Sequence, residues 1–224
     1  MNKIKRKIKA VVFDLDDTLY PERSWRNSGF RFIADKLKKK GFPVTFKKIS
    51  GLYREYPQTL FNELAARYNL PYSADYLIDE YRRHFPRIKL YPEARKMLKA
   101  LKKEYQLGLL TDYFHLVQAN KVKALGISAF FDFIVYTDKI RASKPETKGF
   151  KLIKRKLKAG DWEIMYVGDN EEKDFLGAKK SGFLTVKFAN RRGFHNHKKM
   201  PKAYKAHFEI NELFKLPALL EKLS

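Results

Sequence analysis

The chain has no cysteine, only three glutamines and no long uninterrupted apolar run. Without cysteine there is neither a disulfide framework nor a thiolate metal site, and thiol-based redox or hydrolytic chemistry is excluded. A membrane helix needs roughly 18 apolar residues. The opening stretch MNKIKRK leads straight into a short apolar strand, too brief for the core of a secretory signal. A soluble, cytoplasmic protein with no membrane partner is therefore expected. Acid is scarce relative to base: 25 Asp and Glu against 48 Lys and Arg give a net charge of +23, a positive potential that attracts anions. The basic residues lie along helical faces, such as residues 36–40 and 151–156, and form no recognised nucleic-acid module. Most of this charge reads as solvated surface.

At 224 residues and 44% hydrophobic, the chain has material for one substantial core and an insertion. Five short runs rich in β-branched and aromatic residues, at 10–13, 107–111, 133–136, 164–167 and 184–188, read as buried strands. Amphipathic helical stretches at 116–125, 147–158 and 173–180 separate the last four, the alternation of a parallel sheet covered on both faces. The expected fold is α/β, a doubly wound Rossmann-like parallel sheet. Ligands of such sheets bind at the carboxyl ends of the strands. There the polar residues gather: Asp14 and Asp16 after the first run, Thr111 after the second, Asp169 after the fourth. Residues 20–90 break the alternation, with helical periodicity at 25–41, 46–56, 59–68 and 74–84. They read as a small all-helical domain inserted into a core of residues 1–19 and 91–224. Tyr91-Pro92-Glu93 opens a helix with proline in its first turn, and residues 207–223 read as a short strand and a terminal helix.

Two carboxylates brought to bear on one ligand, Asp14 and Asp16, suit a nucleophile or metal ligand paired with a general acid and base. A lone Asp-x-Asp at a strand end reads equally well as a cap bonded to its own backbone. Asp169 and Asp174, in Gly168-Asp169-Asn170-Glu171-Glu172-Lys173-Asp174, offer the oxygen ligands that Mg²⁺ prefers. Glu171 and Glu172 are first-turn acids matching a helix dipole. Thr111 offers a hydroxyl and an amide to an anion, and Lys144, before Pro145, an amine near the carboxyl edge of the sheet. His195-Asn196-His197 marks no third metal ligand and reads as a loop.

Taken in order, Asp14-Leu15-Asp16-Asp17-Thr18, Thr111, Lys144-Pro145 and Gly168-Asp169 through Asp174 closely resemble the four motifs of the haloacid dehalogenase superfamily, over essentially the whole chain. The insertion after the first motif looks like the helical cap of its phosphatase-like branch. The resemblance implies a Mg²⁺-dependent phosphatase in which Asp14 attacks phosphorus and forms an aspartyl-phosphate. Asp16 would protonate the leaving oxygen and then activate water. Thr111, the backbone amide of Asp112 and Lys144 would bind the phosphoryl oxygens. Mg²⁺ would be held by Asp14, the backbone carbonyl of Asp16 and Asp169, with Asp174 bound directly or in support. Dehalogenases of this superfamily generally lack the second carboxylate, because a halide leaves without a proton, so Asp16 favours a phosphate ester. A phosphosugar mutase shares the catalytic set and differs in excluding water.

The second motif departs from its usual pattern: Asp112 stands where Asn is commonest, and its side chain is expected to point away from phosphate. In the cap, Arg23 is a candidate for a second anionic group of the substrate, and Tyr20 or Trp25 for stacking on a ring. The alternative is that Trp25 packs inside the cap and Arg23 is solvated. The expected partner is a small-molecule phosphomonoester, and the expected state a monomer or homodimer. Nucleic acid is not expected as a partner, although a basic protein processing polynucleotide ends is the competing reading, recognisable by steep salt dependence.

Overall fold

The computed structural model describes residues 7–190, 193 and 200–223. His195, Asn196 and His197 lie outside the described residues. The chain divides into two compact units, one from residues up to Glu22 and from Lys89 onward, the other Arg23–Ile88.

The first unit is a six-stranded parallel sheet with helical crossovers. Its strands are β1 (Ala10–Phe13), β2 (Gln106–Thr111), β3 (Phe133–Tyr136), β4 (Ile164–Gly168), β5 (Leu184–Phe188) and β6 (Phe208–Ile210), in the order β3-β2-β1-β4-β5-β6. β1 runs parallel to both β2 and β4, with Phe13 opposite Leu109 on one side and Val167 on the other. The order reverses at β1, and right-handed crossovers leaving in both directions place helices on opposite faces. That requirement explains why β1 and β4 carry buried side chains throughout: neither face meets water, so both must be apolar. One face packs Ala10, Val12, Leu110, Ile164 and Tyr166 against Phe150, Ile153, Phe175 and Ala178.

The helices around this unit correspond to the 3.6-residue pattern in the sequence: α5 (Ala94–Leu101), α6 (His115–Leu125), α7 (Thr147–Lys156), α8 (Glu171–Lys180) and α9 (Lys215–Leu223), numbered after the four helices of the insertion. The helix expected to open at Tyr91 begins at Ala94. Pro92 and Glu93 form a turn closed by the Ala94 amide on the Tyr91 carbonyl at 3.0 Å.

Residues 23–88 form a helical unit from α1 (Glu22–Lys39), α2 (Phe46–Glu55), α3 (Leu60–Arg67) and α4 (Ala74–Arg83). Its core joins Phe30, Ile33, Leu37, Val44, Ile49, Leu52, Leu60, Leu64 and Leu77, one apolar stripe from each helix. Thr45 and Ser73 cap α2 and α4, each accepting the amide three residues on. Trp25 is buried and meets Tyr81 edge-on, 4.9 Å between centroids. Its ring packs on Tyr81 at the edge of this core, the alternative to stacking on a ligand. None of the described helices is long and apolar enough to cross a membrane.

Candidate active site

β1 ends at Phe13, and the next residue begins a tight turn. The Asp14 amide donates to the Val167 carbonyl at 2.9 Å, keeping Asp14 in register with β4. Leu19 N closes the turn on the Leu15 carbonyl at 3.0 Å, and Asp17 takes a left-handed conformation, φ +52°, which Asp tolerates better than most residues. Its carboxylate accepts the Glu22 amide at 2.9 Å, and the Asn190 side chain donates to its carbonyl at 3.2 Å. Through this turn the two aspartates reach different partners.

Asp14 reaches Lys144. The Lys144 ammonium, itself buried, donates to Asp14 Oδ1 at 2.5 Å, to Asp174 Oδ1 at 2.7 Å and to the Tyr166 hydroxyl at 3.1 Å. Asp174 also accepts the Tyr166 hydroxyl at 3.0 Å and, through Oδ2, the Asn170 amide at 2.9 Å. Carboxylate oxygens of Asp14, Asp169 and Asp174 lie within 4.8 Å of one another, and all three residues are buried. Burial pushes the Asp14 carboxyl up to about 8 against the pull of Lys144, with the charges of Asp174 and Asp16 adding to the rise. Burial, then Asp174 and Asp14, hold the Asp169 carboxyl well above the usual range. Burial disfavours the Lys144 ammonium, but Asp14 and Asp174 outweigh it and keep the amine charged.

Among the described residues, three carboxylates facing one ammonium leave two negative charges uncompensated when all are ionised. An all-oxygen donor set with that deficit suits a hard divalent cation. Asp174 has given three of its roughly four acceptor positions to Lys144, Tyr166 and Asn170, so Asp14 and Asp169 are the freer ligands.

Gly168 and Gly177 make the room. A Cβ at Gly168 would stand 2.4 Å from Asp174 Oδ2, and one at Gly177, on α8, 2.2 Å from the Pro145 carbonyl oxygen. Backbone cannot retreat as a flexible side chain can. Gly177→Ala is therefore expected to destabilise the protein by about 1–3 kcal/mol, the range of overpacked cores, seen as a lower urea midpoint with an unchanged slope.

Asp16 reaches α6. Its Oδ1 accepts Lys121 Nζ at 2.7 Å and the Tyr20 hydroxyl, and its Oδ2 accepts Gln118 Nε2 at 2.7 Å. Burial would raise this carboxyl, but the Lys121 charge and the bonds from Lys121, Tyr20 and Gln118 together hold it below its ordinary value. Tyr20 thus corrects an expectation: its side chain is fully buried and bonded to Asp16, so its ring has no open face for a substrate to stack on.

Thr111 is buried at the end of β2, and its Oγ1 accepts the Gln118 amide. Asp112 turns its carboxylate onto the Thr137 hydroxyl at 2.9 Å and the Lys144 amide at 3.2 Å and 3.3 Å. An acid in this motif is thereby employed in fixing the Lys144 loop, with its charge directed at two donors. Arg23 is exposed, in the helical unit, where it lines a pocket of about 540 Å³ with Arg26, Arg54 and Tyr53. The structure therefore brings Asp14, Lys144, Asp169 and Asp174 into one contact network, and Asp16, Thr111 and Tyr20 into a second.

Sequence reading missed Tyr166, Gln118 and Lys121. Tyr166 sits on a strand buried on both faces, where a tyrosine passes for an apolar residue, and nothing local marks its hydroxyl. Lys121 left a signal: it falls in phase with Val117 and Leu125 on the buried face of α6. A lysine there requires a buried anion.

Residues 11–188 match the family described as haloacid dehalogenase-like hydrolase. The chain is 31% identical over 193 residues to the glyceraldehyde 3-phosphate phosphatase of Pyrococcus abyssi, covering 81% of each protein. To the enzyme of that name from Pyrococcus furiosus it is 30% identical over 231 residues, covering 97% of this chain and 95% of the other. Among solved structures, a HAD-hydrolase of Bacillus subtilis bound to magnesium superposes with a TM-score of 0.73 at 19% identity, covering 96% of this chain and 99% of that one.

Proposed function

We propose that this chain, which belongs to the haloacid dehalogenase-like hydrolase family and is a phosphoric monoester hydrolase, works with Mg²⁺ and through an aspartyl-phosphate on Asp14. The observation that carries this reading is the buried cluster of Asp14, Asp169 and Asp174 around the Lys144 ammonium. Mg²⁺, when bound, would supply positive charge to offset this carboxylate cluster and a phosphoryl group beside it. Asp14 and Asp169 would hold it with the Asp16 carbonyl, and Asp174 would support them.

In the first half of the reaction an Asp14 oxygen bonds to phosphorus as the ester P–O bond breaks, and Asp16 gives its proton to the departing alkoxide. In the second, Asp16 takes a proton from the water that attacks the aspartyl-phosphate, freeing inorganic phosphate and the Asp14 carboxylate. Thr111 Oγ1, the Asp112 amide and Lys144 Nζ bind the equatorial oxygens, the positioning on which phosphoryl transfer chiefly depends. Residues 23–88 act as a cap that selects the substrate, with Arg23 as its anion-binding residue.

The protein acts on small phosphorylated metabolites. The names of its relatives make three-carbon sugar phosphates the first substrates to try. With Mg²⁺, a panel of triose phosphates, phosphoglycolate, hexose phosphates and nucleotides is expected to show one class preferred by at least about tenfold in kcat/KM, a discrimination worth about 1.4 kcal/mol. Chelation with EDTA is expected to abolish phosphate release, and excess Mg²⁺ to restore it. Full activity in EDTA would remove the metal from the proposal, and no release from any monoester would remove the reaction.

A further inference from the structure

The Asp16 side chain is held by α6 in a way that no motif of the sequence announces. Lys121 is 2% exposed, Gln118 is fully buried, and they lie one helical turn apart on the same helix. Lys121 Nζ meets Asp16 Oδ1 and Gln118 Nε2 meets Asp16 Oδ2, each at 2.7 Å. The carboxylate is therefore gripped at both oxygens, which removes the rotation about its Cβ–Cγ bond that a single partner leaves free. The Gln118 amide is oriented by its neighbours: an ionised carboxylate only accepts, so Nε2 must face Asp16. Oε1 is then left with no hydrogen-bond partner among the described residues. Leaving a buried acceptor unsatisfied is costly, and the two bonds from Nε2 are what the arrangement gains.

The second of those bonds runs to Thr111 Oγ1 at 2.5 Å. A hydroxyl has one hydrogen and two acceptor positions. With one acceptor position filled by Gln118, the Thr111 hydrogen is turned away from α6 and remains available to an anion. Gln118 thus fixes the direction of two groups at once.

We infer that Lys121 and Gln118 are positioning residues that orient Asp16 for proton transfer to the leaving oxygen, Gln118 also aiming the Thr111 hydroxyl at the phosphoryl group. This rests on the proposed phosphatase reading of the site. In the step concerned, the Asp14–P bond forms, the P–O bond to the alcohol breaks, and the Asp16 proton moves to the alcohol oxygen. What remains is the Asp16 carboxylate, the form with which Lys121 pairs.

An ester whose alcohol needs that proton depends on the clamp, whereas 4-nitrophenyl phosphate releases a stable anion and depends on it little. Lys121→Met is expected to lower kcat/KM for glycerol phosphate by about 10²-fold, at the lower end of general-acid contributions, and for 4-nitrophenyl phosphate by less than about fivefold. Lys121→Arg, which keeps the charge, is expected to recover most of the lost activity. Gln118→Leu is expected to show the same selectivity and in addition a raised KM for both esters, through Thr111. Should Lys121→Met fail to fold, the Gln118→Leu and Lys121→Arg proteins carry the measurement, and a urea midpoint for each variant identifies such a failure. Equal losses on the two esters, or no loss on either, would overturn the inference while leaving the phosphatase reading intact. A parent protein inactive on both esters would instead overturn that reading.

Discussion

Asp14→Asn is expected to lower kcat for any phosphomonoester by at least about 10⁴-fold, since removal of a nucleophile that works in concert with its neighbours forfeits nearly all of their joint effect. The amide keeps the shape of the carboxyl and removes its attacking charge. Stability should move the other way. Asp14 titrates near 8 in the folded chain without a cation, against an ordinary value of 3.8. A folded pKa above the unfolded one means stability that is full at low pH and is lost as pH rises. The cation-free parent protein should accordingly weaken between about pH 4 and about pH 8, and Asp14→Asn should lessen that slope. Phosphate release with Mg²⁺ measures the first effect, and urea unfolding in EDTA at the two ends of that pH range measures the second. An Asp14→Asn protein as active as its parent rules out Asp14 as the nucleophile.

The second large effect is on the fold. Lys144→Met is expected to cost about 3–5 kcal/mol at pH 8, the penalty for breaking a buried ion pair by removing one partner. The Lys144 side chain is 4% exposed and its two carboxylate partners 9% and 1%, so water cannot replace the lost ammonium. Loss of Lys144 raises the folded pKa of the carboxyls that it pairs with. The penalty is therefore smaller at pH 5, where they hold protons more readily, and larger at pH 8. Mg²⁺ should recover part of it by occupying the same negative cluster, seen as a urea midpoint that climbs with Mg²⁺ concentration. A midpoint unchanged from the parent would mean that the ion pairs contribute nothing to the fold.

The parallel sheet was legible because it forces its strands to be apolar on both faces. Residues 10–13, 133–136 and 184–188 emerge with their expected limits, while β2 and β4 each extend one residue further. Site residues at strand ends were legible for the same reason: a polar residue that follows a buried run, as Asp14 follows Phe13, stands out by contrast. Glu171 and Glu172 begin α8 as expected, yet the residue that caps it is Asn170, whose side chain accepts the Glu172 amide. Tyr20 was misjudged because its proximity to Asp16 arises from the turn at Asp17, and φ at a non-glycine residue is not written in the pattern of hydrophobicity. Tyr166 and Gln118 escaped for a different reason. Their significance lies in single polar atoms that meet groups 8 and 102 residues away, and such pairings exist only once the strands are in register.

The three hydrogens of the Lys144 ammonium are already committed, to Asp14, Asp174 and Tyr166. An ammonium has no fourth. In the proposed reaction, capture of a phosphoryl oxygen by Lys144 would be an exchange of one partner for another, and the Tyr166 hydroxyl, the longest and only uncharged of the three, would be the one displaced. Affinity for phosphate at this residue would then be set by a difference between two bonds, and product phosphate would leave more easily than the density of charge around it suggests.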